Sequence, residues 1–285
     1  MITVTAATGQ LGRLVVDALL DRGVPADRIV AAVRNPGKAA DLAERGVHVR
    51  EADYTKPETL TSAFAGTDKL LLISSSEVGQ RLDQHTNVVK AAQVAGVSLI
   101  AYTSILNADT TGVGLAAEHK ATEAVIRDSG LPNVFLRNGW YMENYTENLA
   151  PALEFGTLLG AASGGRISGA TRADFAAAAA SVLTSDGHAG MVYELGGDTP
   201  FTMAELAATV TAQSGKQVTY QDLSAVDYTK ALVAAGLPEP VADMLADNDL
   251  AVARGELFID SRDLSTLIGR PTTPLTDAVT EALRA

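Results

Sequence analysis

Through the first half of the chain, short runs of branched aliphatic residues alternate with longer stretches whose apolar positions recur three and four apart. The runs at 2–6, 28–33, 47–51, 69–73, 98–102 and 133–137 read as buried strands, and the stretches at 11–21, 37–45, 57–65, 80–95 and 115–129 read as amphipathic helices. Six strands separated by five helices predict right-handed crossovers and a parallel sheet covered on both faces. The expected fold class is α/β, a Rossmann-type doubly wound parallel sheet over residues 1–138.

Past Asn138 the alternation breaks. An alanine-rich helix is expected at 172–183, a strand at 191–195, a helix at 202–214 with Thr202 as its N-cap, a strand at 216–220, and helices at 227–235 and 238–247. This part is too short and irregular for a second sheet of the same kind. Residues 139–285 are expected to form mainly a small α+β substrate lobe over the carboxyl ends of the strands, with some segments returning to the sheet.

Composition narrows the partners rather than the fold. The 285 residues carry a formal net charge of −12, which argues against nucleic acid, whose binding needs clustered Lys and Arg. With no cysteine, disulfides, thiolate chemistry and cysteine-based metal sites are excluded. The chain opens on strand-like Met1-Ile2-Thr3-Val4, without a basic and then apolar leader, and no apolar run is long enough to span a bilayer. A cytoplasmic protein with no membrane insertion is the expectation. Oligomeric state is not encoded in any readable feature.

The first chemistry lies between the first strand and first helix, in Thr5-Ala6-Ala7-Thr8-Gly9-Gln10-Leu11-Gly12. Glycines there let backbone approach a pyrophosphate, and the helix N-terminus offers unpaired N–H groups and a positive dipole end. Ala6, Thr8, Gly9, Gln10, Leu11 and Gly12 are the candidate cradle. The second strand ends at Arg34, where sites for the unphosphorylated dinucleotide usually carry an acid. A guanidinium can instead hold a 2′-phosphate in bidentate fashion, so NADPH is expected, with NADH accepted at lower preference.

Longer motifs carry a resemblance. Thr8-Gly9-Gln10-Leu11-Gly12, Val33-Arg34-Asn35-Pro36, Leu71-Leu72-Ile73-Ser74-Ser75-Ser76-Glu77 and Leu136-Arg137-Asn138-Gly139-Trp140-Tyr141 together resemble the NmrA-like branch of the atypical short-chain dehydrogenases, and within it the quinone- and triphenylmethane-reducing members. The likeness continues through Val192-Tyr193-Glu194-Leu195, 213–220 and 267–273. It implies NADPH contacts from the glycine loop, Arg34, Ser74, Ser75, Ser76, Asn138, Gly139, Trp140, Tyr141, Glu143 and Arg172. Several of these residues keep a second reading. The serines could cap their own turn, Trp140 could be core, and Arg172 could pair with Asp174. Asp53 either accepts from the adenine amino group or caps a helix. The family usually has glycine at the position of Ala6; if that position needs a positive φ, alanine costs on the order of 1 kcal/mol there.

The usual short-chain dehydrogenase pair, Tyr-x-x-x-Lys, is missing: Tyr102 is followed by Leu106 and Tyr141 by Tyr145. The lysine that relatives place eleven residues before a helix-ending glycine falls here on His119, counting from Gly130. His119 is read either as a proton donor titrating near neutrality or as a structural hydrogen-bonding residue. Tyr141 is a second candidate for the chemistry, and Tyr141, Asn144 and Tyr145 are candidates for the acceptor pocket. Nothing marks a flavin or a metal site. The expectation is direct hydride transfer from NADPH to a small-molecule quinone. The alternatives are reduction of a triphenylmethane dye, or a redox sensor that binds NADP(H) without turnover.

Overall fold

The computed structural model describes residues 1–147 and 149–284. Strands β1 (Ile2–Thr5), β2 (Ile29–Val33), β3 (His48–Glu51), β4 (Lys69–Leu72), β5 (Leu99–Ile105), β6 (Asn133–Asn138) and, after β7 (Thr157–Gly160), β8 (Val192–Leu195) are separated by helices. Seven of them form one sheet in the order β3-β2-β1-β4-β5-β6-β8, and every pairing is parallel. The order reverses between β1 and β4, which opens a crevice at their carboxyl ends. A separate two-stranded sheet joins β7 to β9 (Thr219–Asp222).

Burial explains both faces. One face carries Val4, Val33, Leu71, Ala101 and Leu136 under the helices Gln10–Asp21 and Arg172–Thr184. In the second helix Ala176, Ala178, Ala179 and Ala180 are all buried, and their small side chains let the two helices lie close. The opposite face packs Leu70, Leu72, Ile100 and Phe135 against Leu60, Phe64, Val88 and Ile126. A third cluster, with Ile105, Met142, Ile167, Phe201, Leu206 and Val252, ties the lobe to the sheet edge. The stretch containing the helix Arg172–Thr184 and β8 therefore returns to the sheet, whereas the helices Ala225–Ala234 and Glu239–Ala253 line the crevice and β7 pairs with β9 in a separate small sheet.

Four elements differ from the sequence pattern for definable reasons. β5 runs on to Ile105 instead of stopping at 102, because the polar pair that looked like a strand end is satisfied: Thr103 Oγ1 accepts from the Ser74 amide (2.9 Å), and Ser104 donates to Glu123 (2.6 Å). The strand expected at 216–220 starts later, at Thr219, where it pairs with β7, itself unmarked by any alternation. The helix expected to end at 247 continues to Ala253, because Asn248 and Asp249 are buried rather than terminal. The helix expected at 37–45 is divided into a 3₁₀ turn at Pro36–Ala39 and a short helix at Ala40–Glu44.

Behind β6, Arg137 is held by Glu123 (2.7 Å), Asp109 (2.7 Å) and Glu194 (2.9 Å), with Glu123 fully buried. This buried charge keeps its hydrogen bonds complete, which is the condition for tolerating it. It fixes the end of β6, from which the Asn138–Tyr141 turn departs.

The junction of β1 with its helix is a close backbone contact at the crevice. A Cβ added at Gly12 would meet the Ala6 carbonyl oxygen at 2.4 Å and Ala7 Cα at 2.7 Å, both backbone atoms. Gly12→Ala is therefore expected to lower stability by about 2 kcal/mol, at the cost typical of overpacking. A thermal melt checks this, and a variant melting with the parent would show that the helix can shift without loss.

Candidate active site

The crevice is a cleft of about 1000 Å³, at the upper end of the range for small-molecule sites. Its floor begins at the glycine loop. Gly9 is the N-cap of Gln10–Asp21, with extended backbone and no side-chain cap, so the first-turn amides are left for a ligand. The Gly9 amide donates to the Ala6 carbonyl (2.9 Å), closing the turn. Ala6 sits at φ +49°, so the left-handed conformation is required here and its methyl bears the cost.

Every candidate site residue named from sequence lines this one cleft: Ala6, Thr8, Gly9, Gln10, Leu11, Gly12, Arg34, Asp53, Ser74, Ser75, Ser76, His119, Asn138, Gly139, Trp140, Tyr141, Glu143, Asn144, Tyr145 and Arg172. Their partners settle several of the open readings. Arg34, largely exposed, pairs with Glu77 at 2.8 Å, and Glu77 also accepts from Gln84. Arg172 pairs with Glu147, reaches Asn144 Oδ1 at 3.4 Å, and lies 5.0 Å over the Tyr141 ring. Its pairing with Asp174 is not found. Asp174 is fully buried and instead binds Arg270 (2.7 Å) and the Thr273 amide (2.7 Å), because it points inward from the first helical turn.

Asp53 holds its own turn. Its Oδ1 accepts from the Thr55 amide (3.0 Å) and hydroxyl (2.8 Å). Partial burial raises its pKa, but those bonds, with Lys56 and Arg34, outweigh it and leave the carboxyl below its usual range. Trp140 packs on the third cluster and also lines the cleft.

The serine turn is anchored from behind. The Ser75 amide donates to His85 Nε2 (2.9 Å), so His85 carries its proton on Nδ1 and gives it to Thr122 Oγ1 (2.9 Å), which in turn donates to the Glu118 carbonyl (2.9 Å). The Arg81 Nε donates to the Ser75 carbonyl (2.6 Å). Ser75 Oγ accepts from the Glu77 amide, so one serine does cap its own turn. Beside this chain, His119 Nδ1 shares a proton with the buried Tyr102 hydroxyl at 2.8 Å.

Burial, then Arg81 and His85, push the His119 imidazole down to about 3, and burial with Arg81 does the same to His85. The expectation of a His119 titrating near neutrality is thus corrected: a helical histidine whose ring is enclosed next to a cation stays neutral. Tyr141 and Tyr145 are pushed up by burial, so their hydroxyls stay protonated. Tyr145 packs edge-on to Phe201, and Tyr141 to Phe175.

Sequence reading missed the opposite wall. Tyr228, Met244, Leu245, Asn248 and Asp249 line the cleft from the lobe. A signal was present: Ala242, Ala246 and Asp249 share one helix face, so a carboxylate stands on an otherwise apolar stripe. Tyr54 was also missed; its single hydroxyl proton is shared between Thr5 Oγ1 and the Ile73 carbonyl (2.9 Å), tying β1 to β4 across the switch point.

Fold and cleft together define a dinucleotide-binding reductase architecture, and comparison places the chain within it. Residues 6–186 match the family model described as NAD(P)H-binding, and the chain belongs to this family. It is 57% identical to Quinone oxidoreductase 2 of Escherichia coli, over 98% of this chain and 97% of that one. The crystal structure of the NADPH-dependent quinone oxidoreductase from Escherichia coli complexed with NADPH superposes with a TM-score of 0.97, at 56% identity, over 99% of this chain and 100% of that chain. Triphenylmethane reductase of Citrobacter sp., complexed with NADP(H), superposes with a TM-score of 0.96 at 44% identity, again over 99% and 100%.

Two outcomes follow. Ala6→Gly relieves the left-handed alanine but frees the unfolded chain; the difference predicts a net gain of about 0.5 kcal/mol, read by denaturant unfolding, and a loss would show that the methyl packs usefully. Proton NMR should show no titration of the His85 or His119 rings between about pH 5 and 8; a His119 midpoint in that window would restore it as an acid.

Proposed function

We propose that this chain is an NADPH-dependent oxidoreductase that delivers hydride directly to a quinone, without flavin or metal. The observation that carries the reading is one continuous cleft that joins a helix N-terminus without a side-chain cap, the arginines Arg34 and Arg172, and a facing wall of Tyr228, Met244, Leu245, Asn248 and Asp249. The donor set fits the dinucleotide. First-turn amides of Gln10–Asp21 and Arg172 would hold the pyrophosphate, and Arg34 the 2′-phosphate. Ser74–Ser76 and the turn from Asn138 to Tyr141, where Asn138 Oδ1 is buried with no partner among the described residues, would hold the nicotinamide end. When bound, the cofactor supplies hydride; the chain supplies position, dryness and charge.

Both arginines are occupied by carboxylates, Glu77 on Arg34 and Glu147 on Arg172. The Arg34–Glu77 pair is exposed, and such pairs are worth about 0–1 kcal/mol, whereas a hydrogen bond to a charged partner contributes about 1.5–3 kcal/mol. At Arg34 a phosphate would therefore displace the carboxylate at modest cost; Arg172 is mostly buried, and there the partner to be displaced is the half-exposed Glu147.

The acceptor would lie between Tyr141, Asn144 and Tyr145 on one side and Tyr228 with Met244 on the other. A triphenylmethane dye is a second acceptor for the same pocket, favoured by the 44% identity to triphenylmethane reductase and by the acidic lining, which suits a cation.

An NADPH-oxidation assay against benzoquinones, naphthoquinones and triphenylmethane dyes tests the proposal. Turnover with quinones supports it, turnover with dyes alone favours the second acceptor, and NADPH binding with no turnover moves the reading to a redox sensor. Arg34→Asp should lower the NADPH-to-NADH ratio of kcat/KM by about 100-fold, from one lost charged hydrogen-bond pair plus repulsion. An unchanged ratio removes Arg34 from the 2′-phosphate site.

A further inference from the structure

We propose that Asp249 is the proton donor to the reduced acceptor, an inference that rests on the quinone-reducing reading above. The helix Glu239–Ala253 places Asp249 on its inner face, where it lines the cleft from the lobe and is only 8% exposed. Its two oxygens are treated differently. Oδ2 accepts from the Ala161 amide at 2.7 Å, and Gly160 leaves room for it, since a Cβ there would come within 2.8 Å. The other oxygen has no hydrogen-bond partner among the described residues and is not enclosed, so it is the atom available to a ligand.

The titratable groups that face Asp249 are Asp222 and Tyr220 on β9, Tyr145 from the helix Glu143–Thr146, and Tyr228 from Ala225–Ala234. None is a cation, so nothing holds the carboxylate in its charged form except the single Ala161 amide. Burial pushes the carboxyl up to about 6, with Asp222 adding and the Ala161 amide opposing. An apolar ring seated against it removes more water and raises it further.

Rival donors in the cleft are less suited. The His119 ring is neutral and bonded to Tyr102. Glu143 spends one oxygen on the Arg172 amide, and its other oxygen is enclosed. Tyr141 and Tyr145 are pushed to higher pKa and are the weaker acids.

The step balances without a further reagent. Hydride adds two electrons and one hydrogen to the quinone, the nicotinamide is oxidised, and a hydroquinone anion remains. The Asp249 carboxyl O–H bond breaks, the proton moves to the ring oxygen, and the carboxylate recovers a proton from water as product leaves.

Asp249→Asn tests this, because the amide oxygen can still accept from Ala161 while the transferable proton is gone. With a benzoquinone, kcat should fall about 100-fold, within the usual range for general acid catalysis. The fall in wild-type kcat at high pH, which tracks loss of the acid form, should disappear in the variant. The NADPH Kd, read by fluorescence titration, should stay within twofold. Stability gives a readout independent of turnover. A carboxyl raised in the folded state contributes stability below its unfolded pKa and loses it as pH rises through the folded value. The Asn variant should accordingly melt higher than wild type at about pH 8, with the gap closing toward about pH 4. Wild type active on quinones and Asp249→Asn within threefold of its kcat, with the same pH profile, overturns the donor role alone. Wild type that binds NADPH yet reduces no quinone overturns the proposed function, and the donor role with it.

Discussion

The contact on which the rest depends is the approach of the first helix to the end of β1, where Gly12 lies against the Ala6 carbonyl with no space for a side chain. That closeness places the helix N-terminus at the switch point between β1 and β4, the one place where an open parallel sheet provides a crevice. It also forces Ala6 into the left-handed region, so the junction is kept under a small local strain. Tyr54 then ties β1 to the end of β4, and the serine turn follows from there. Each element of the cleft floor is thus referred back to a single backbone contact.

Around that floor, charge is arranged in pairs rather than as a positive patch. A chain of net charge −12 binds an anionic cofactor only through local devices. On the proposed reading those devices would be helix-end amides and two arginines, Arg34 and Arg172, each paired with a glutamate that a phosphate would replace. The histidines behind the serine turn act differently. Kept neutral by burial and by Arg81, they serve as fixed hydrogen-bond relays: a protonated His85 could not accept the Ser75 amide.

The sheet, its parallel pairing and the residues that gather along one side of the cleft were legible because they depend on local patterns. Alternating apolar runs give the strands, and Gly9, Gly12, Arg34, Ser74–Ser76 and Asn138–Tyr141 all stand at strand ends, hence on the same edge. What could not be read depends on distant partners. Asp109, Glu123 and Glu194 come from separate segments to meet Arg137, and Asp174 finds Arg270 rather than its neighbour Arg172. The acceptor wall was hidden for a related reason. Asn248 and Asp249 look like a helix end in sequence and are instead buried polar residues facing the cleft, and β7 exists only because β9 returns to pair with it.

If cofactor and acceptor share one cleft, hydride passes between them without a carrier. Anaerobic stopped-flow mixing with 4-deuterated NADPH distinguishes this from a relay. Direct transfer gives nicotinamide oxidation and hydroquinone formation one shared rate constant, both slowed by deuterium, with no nicotinamide oxidised before the quinone is added. Oxidation of NADPH in a separate, faster phase before acceptor reduction would contradict it.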